Sequence, residues 1–215
     1  KSWYRGNYPA GSNENFYGVF NINGKQYLVM SLEFYPRNGT LEWARQILTA
    51  NQDKEVILIM HAFLWTGGTR VGPCDKGGPD GYGLSADNDG QEMWNKLIRK
   101  FRNISMVLNG HFHGYARRAD LGDSGNLVNQ ILADYQAWAD GGGGYLRILT
   151  FRPMQNRVDV KTYSPYYNKY LTDGGNQFSV PMYNSGLAKT GKGIIAGRVR
   201  STGCSALAGV RVSTP

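Results

Sequence analysis

Two short apolar runs constrain the fold most. Glu55-Val-Ile-Leu-Ile-Met60 and Ile104-Ser-Met-Val-Leu108 are nearly free of polar residues and too short for helices. Each reads as a strand buried on both faces, as in a sheet with cover on either side. Each follows a helical pattern. Residues 40–50 place Leu41, Ala44, Ile47 and Leu48 on one face, with Thr40 as the expected N-cap. Residues 89–101 do the same with Met93, Leu97, Ile98 and Phe101. Helix, buried strand, helix, buried strand predicts an α/β layered fold.

Upstream, residues 16–23 alternate apolar and polar, Asn23-Gly24 follows, and 25–32 resumes the strand pattern, which predicts a hairpin. Downstream, 126–133, 144–151 and 157–163 read as further strands, with the glycines at 141–144 as a turn. Between the two buried runs, 66–90 is rich in glycine and aspartate and reads as a long loop. Residues 1–184 are expected to form one domain, 185–192 a linker, and 193–215 the start of a second, β-rich unit too small to bury a core of its own. The chain opens at Lys1 and closes at Thr214-Pro215 inside a strand-like pattern, so both ends read as cut from something longer.

With 41% hydrophobic and 19% charged residues, the composition is that of a globular protein. No apolar run approaches the ~20 residues of a membrane helix, so no membrane span is expected. The net charge of +8 invites a nucleic-acid reading, but five of the basic residues (Lys189, Lys192, Arg198, Arg200, Arg211) lie beyond residue 184, where no acid balances them. Little basicity is left for a folded face, and no nucleic-acid partner is expected. Cys74 and Cys204 form no zinc-type pattern, and their pairing is left open.

All three histidines stand where buried strands end: His61 after the first, His111 and His113 after the second. Sites in open α/β sheets form at the carboxyl ends of strands. Neutral imidazoles ligate Zn, Fe and Mn. The spacing of two puts His111 and His113 on one side if the strand continues, and a turn at Gly110 would let both face one crevice. A lone strand-end histidine is more often structural; three with no others elsewhere favour a metal. Tyr82, Tyr115 and Asn109 are candidate substrate-binding residues, and Tyr135 and Gln136 candidate pocket residues. The aspartates 75, 80, 87 and 89 lack EF-hand spacing and read as solvated loop. Gly122-Asp-Ser-Gly reads as turn chemistry around Ser124 rather than a nucleophile. Asn38-Gly-Thr40 and Asn103-Ile-Ser105 are glycosylation sequons, meaningful only in a eukaryotic secretory host.

Ile57-Leu-Ile-Met-His61 and Asn109-Gly-His-Phe-His113 resemble the two C-terminal motifs of the calcineurin-like metallophosphoesterases, and Glu33-Phe-Tyr-Pro-Arg37 and Tyr163-Ser-Pro165 resemble their bacterial secreted branch. The resemblance covers roughly residues 1–183. It implies a β-sandwich flanked by helices, two divalent or trivalent ions (Mn, Fe or Zn) in the complete domain, and a phosphoester substrate. It gives His61 and His111 to one ion and His113 to the other, and points to a secreted or cell-surface location. The family's Asp-x-His, Gly-Asp-x-x-Asp and Gly-Asn-His motifs have no counterpart here, so the resemblance implies an N-terminally truncated domain with an incomplete, inactive site. Residues 193–215 resemble the opening of a carboxypeptidase-regulatory-like β-sandwich, which implies further sandwich domains in the parent chain. The alternative is a non-catalytic extracellular binding or structural module.

Overall fold

The computed structural model describes residues 1–73, 75–84 and 87–182. The expected linker and second β unit, and both cysteines, lie outside the described residues.

The Asn23-Gly24 turn works as the sequence demands. Strands β2 (Asn15–Ile22) and β3 (Lys25–Leu32) pair antiparallel with Ile22 opposite Lys25, leaving a two-residue loop. Its residues have φ of 51° and 80°, the left-handed pair that suits the twist of a tight hairpin. Strand β1 (Tyr4–Tyr8) adds to the outer edge of β2. From β3 the chain enters helix α1 (Asn38–Ala50) and returns as β4 (Glu55–Met60), parallel to β3. After the long loop come helix α2 (Gly90–Lys96) and β5 (Ile104–Asn109), parallel to β4. Strands β6 (Gly114–Leu121) and β7 (Leu127–Asp134) complete a mixed seven-stranded sheet of order β1-β2-β3-β4-β5-β7-β6. A smaller sheet holds β8 (Leu146–Arg152), β9 (Arg157–Ser164), β10 (Lys169–Leu171) and β11 (Phe178–Pro181), with β8 on one side of β9 and β10 and β11 on the other.

The fold is mixed α/β, in three layers. On one face of the large sheet, Leu28, Met30, Leu32, Val56, Leu58 and Met60 bury against Leu41, Ala44 and Leu48 of α1 and Met93 and Trp94 of α2. On the other, Tyr27, Ile57, Met106 and Ile131 meet Val158, Val160 and Val180 of the small sheet. The small sheet covers only part of that face. Ile59, on the same side as Ile57, is 40% exposed, and Phe20 and Ile22 on β2 are also exposed. The expectation that β4 is buried along its whole length is corrected there: the covering sheet does not reach its last residues.

Three element boundaries also differ from expectation. Thr40 is not the N-cap of α1. Arg37 holds that position without a side-chain cap, and Thr40 is buried one turn in, its hydroxyl donating to Glu33. The second helix stops at Lys96 rather than Phe101, because Leu97 leaves helical geometry (φ −130°, ψ −63°) and a 3-10 turn follows. Strand β6 was not anticipated. It is an edge strand whose exposed side carries Arg117, Ala119 and Leu121, so its pattern is only weakly apolar.

Helix α2 carries a capping box: Asp89 accepts from the Glu92 backbone N–H at 2.8 Å, and the Glu92 carboxylate accepts from Asp89 N–H at 3.2 Å. Burial pushes the Asp89 carboxyl up to about 6, against the lowering effect of the Glu92 backbone hydrogen bond. A raised acid binds its proton more tightly in the folded state. Its ionisation therefore costs no stability below about pH 4 and the full amount above about pH 6. Asp89→Asn keeps an accepting oxygen without the charge. At pH 7.5 it is expected to raise the unfolding free energy by about 2 kcal/mol, with no gain at pH 4, in urea titrations at the two pH values. An equal difference at both would contradict this account of Asp89.

Candidate metal centre

The parallel strands β4 and β5 lie side by side, so the residues after them emerge at one edge. The Gly110 N–H donates to the His61 carbonyl at 3.0 Å and ties the two strand ends together. His111 then sits at the centre of a three-residue turn: its φ is +71°, and the Phe112 N–H reaches back to the Gly110 carbonyl at 2.9 Å. A γ-turn of this positive-φ kind is rare and strained for a residue with a side chain. Strain of this sort persists where the surroundings over-determine it, often at functional sites.

The turn swings the His111 ring toward His61, with His111 Nδ1 3.0 Å from His61 Nε2. On the other side of the ring, the Tyr82 hydroxyl is 3.1 Å from His111 Nε2. Tyr82 rides on a 3-10 turn, Pro79–Tyr82, within the long loop. Phe34 stands nearly perpendicular to His61 and Tyr82, at ring separations of 5.0 and 5.1 Å, and closes the cluster from beneath. Sequence reasoning missed Phe34 as a site residue, although it lies in the Glu33-Phe-Tyr-Pro-Arg37 stretch that carries part of the resemblance. Burial, and secondarily His61, push the His111 pKa down. That favours neutral imidazole, the form that ligates metals.

His113 shares the crevice but not the pair. The amide nitrogen of Gln136 donates to His113 Nε2 at 2.9 Å. The turn at His111 breaks the strand alternation that would have aligned His111 with His113. The crevice, of about 870 Å³, is lined by Trp65, Asp75, Lys76, Tyr82, His111 and His113 among others. The loop thus does border the histidines. Tyr82 is 50% exposed there. Tyr115 instead packs among aromatic rings, 6.2 Å from Trp138 and 6.4 Å from Tyr135. Asn109 is buried; its amide nitrogen donates to the carbonyls of Gly110 (3.1 Å) and Leu64 (3.5 Å), and its amide oxygen has no partner among the described residues.

The donor set fits one ion better than two. Two ring nitrogens 3.0 Å apart are close to the spacing of neighbouring ligands held at ~2.0–2.1 Å from one ion. Two lone pairs cannot face each other at that distance without a proton or a cation between them. A second ion needs carboxylates. Among the described residues, no three His, Cys, Asp or Glu side chains gather around a common point. Asp75, which lines the crevice, accepts from the Gly72 N–H at 2.9 Å, and Asp134 is the acid whose charge acts on His111.

Fold and site together describe a mixed α/β protein with a histidine pair at the carboxyl ends of adjacent parallel strands. Among known proteins, the chain is 33% identical over 182 residues to the uncharacterized protein YvnB of Bacillus subtilis (strain 168). The match takes in 80% of this chain, which spans only 13% of the length of that relative. NAD nucleotidase (NadN) of Haemophilus influenzae is a structural neighbour at a TM-score of 0.36 and 10% identity, over 77% of this chain and 27% of that one; a score at that level identifies no fold. No family model matches the chain. Among the described residues, no helix is long and apolar enough to cross a membrane.

Proposed function

We propose that this chain carries the histidine half of a metal-dependent phosphoester hydrolase site of the metallophosphoesterase type. The observation that carries the reading is the approach of His61 Nε2 and His111 Nδ1 to 3.0 Å at two parallel strand ends. His61 and His111 would hold one ion; His113, bonded to Gln136 here, would be this chain's contribution to a second once carboxylates are supplied. A bound divalent ion supplies a Lewis acid for a phosphoryl oxygen and a lowered pKa for an attacking water. The chain's own residues do the rest: Tyr82 orients His111, Lys76 places a positive charge at the crevice wall, and the loop forms one wall of the crevice.

The carboxylate ligands of such a site would come from a further segment that completes the sheet. Two features support this. At the carboxyl end of β4, Ile59 is exposed on the face that the small sheet covers at Tyr27 and Ile57. Strand β8, which pairs with β9 on one side, has no partner strand on its other edge among the described residues. Open edges of this kind accept added strands.

Assay on aryl phosphate monoesters and diesters with added Mn tests the reading. Turnover by this chain alone is expected at the level of the metal blank, while inorganic phosphate binds in a metal-dependent manner. Turnover that persists and vanishes in His111→Ala would show the site to be complete. Phosphate binding that ignores the metal would remove the phosphoester reading.

A further inference from the structure

A second concentration of aromatic rings lies beyond Gln136, outside the histidine cluster. Trp138 stands 5.7 Å from Tyr145, Tyr145 6.0 Å from Tyr167, and Tyr167 4.9 Å from Tyr166. Beneath them Tyr135 is buried, its hydroxyl bonded to Asn176 at 2.8 Å and to Thr162 and Arg147 at 3.1 Å each. The outer rings are open: Trp138 is 36%, Tyr167 41% and Tyr166 70% exposed.

The backbone under these rings is unusual. Asp140, Gly141, Gly142, Gly143 and Gly144 all have positive φ, from 55° to 88°. Such a left-handed run costs ~1–2 kcal/mol per residue with a side chain, which is why four of the five are glycine. Space demands it as well. A Cβ on Gly143 would come within 2.3 Å of the Tyr167 ring, so that ring lies directly on the main chain. The one residue of the run that is not glycine, Asp140, accepts the Tyr167 hydroxyl. Tyr167 is thus locked by main chain on its face and by a carboxylate at its tip.

We propose that Trp138, Tyr145, Tyr167 and Tyr166, with Asp140 and Gln136 at the rim, form a platform that binds a neutral oligosaccharide. Ring faces carry negative π potential and attract the C–H-bearing face of a pyranose. Beside their bonds to Tyr167 and His113, Asp140 offers its second carboxylate oxygen and Gln136 its amide oxygen, both of which accept from sugar hydroxyls. The exposed carboxylate disfavours a phosphate or another polyanion. Rings that are already fixed lose little entropy on binding, the advantage of a preorganised surface. None of this uses the histidine pair, so the platform stands whether or not the pair takes a metal.

The test is titration of the whole chain with the β-1,4 tetramers of glucose and of N-acetylglucosamine and the α-1,4 tetramer of glucose, followed by tryptophan fluorescence and calorimetry. At least one is expected to bind with a Kd below ~1 mM. Trp138→Ala should weaken it tenfold or more, and Tyr166→Ala severalfold. Tyr166 is the most open of the rings, so its variant keeps the fold if Trp138→Ala does not. His111→Ala should leave the affinity unchanged. No binding by any of the three sugars at millimolar concentration overturns the proposal. So does binding that Tyr166→Ala leaves intact, or saturable binding of adenosine in place of the sugars.

Discussion

Replacing Arg70 with methionine is expected to lower the unfolding free energy by about 3 kcal/mol or more. Arg70 enters the interior from the first leg of the long loop, where Leu64 and Arg70 form an isolated bridge. Its side chain is only 5% exposed. Its guanidinium donates to Asp120 at 2.6 Å, to Gln130 at 2.9 Å and to Gln91 at 3.3 Å, and lies 3.8 Å from the Trp94 ring centre. One side chain therefore joins the loop to β6, β7 and α2. Burial pushes its pKa down to about 9, with Asp120 opposing and Arg118 and Arg99 adding to the shift, which still leaves it charged at neutral pH. Methionine fills comparable volume but strands the oxygens of Gln130 and Gln91 without their donor, each a cost of about 1–3 kcal/mol when buried. Asp120 keeps Arg118 and is not orphaned. Lysine should not rescue the loss, since one ammonium cannot reproduce the planar fork across three acceptors. Urea unfolding should show a lower midpoint with an unchanged slope. An unchanged midpoint for Arg70→Met would mean that the loop is not anchored through this residue.

The parts of the fold that were legible are those where one residue pattern had one physical meaning. The run 55–60 reads as a strand and is one, though open at Ile59, and Asn23-Gly24 between two alternating runs reads as the tight turn it forms. Strand β6 was hidden because an edge strand with arginines at 117 and 118 need not look apolar. Thr40 looked like a cap because threonine before an apolar periodicity usually is one; what displaced it was Glu33, distant by seven positions, whose carboxylate takes the Thr40 hydroxyl and the Arg37 N–H at the helix start. The gathering of histidines at the strand ends was legible; the way each ring points was not. Nothing in Gly-His-Phe-His announces that His111 adopts φ +71°, and that single dihedral sends His111 to His61 and leaves His113 with Gln136. Tyr82 could be placed near the histidines by loop position, but its bond to His111 Nε2 depends on a 3-10 turn formed by Pro79 and closed by Gly83 in the left-handed region.

That bond sets the second large effect. A histidine that ligates through Nδ1 must carry its proton on Nε2, and an outer partner at Nε2 fixes that tautomer. Tyr82→Phe removes this partner, leaving the Gly77 backbone as the other group that hydrogen-bonds His111. Loss of such a partner typically weakens metal affinity 10- to 100-fold. Loss of either histidine of the pair should be more severe, because a single imidazole is no chelate. His113→Ala should matter least for the first ion, since His113 is engaged with Gln136.

The most direct measurement is a cobalt(II) titration of the whole chain, read by visible absorption and by calorimetry, with His61→Ala, His111→Ala, His113→Ala and Tyr82→Phe in parallel. The account predicts one saturable site that disappears in His61→Ala and in His111→Ala, weakens 10- to 100-fold in Tyr82→Phe, and survives in His113→Ala. Cobalt binding that is unaffected by loss of His61 or His111 would contradict it, as would no saturable binding by the folded parent chain.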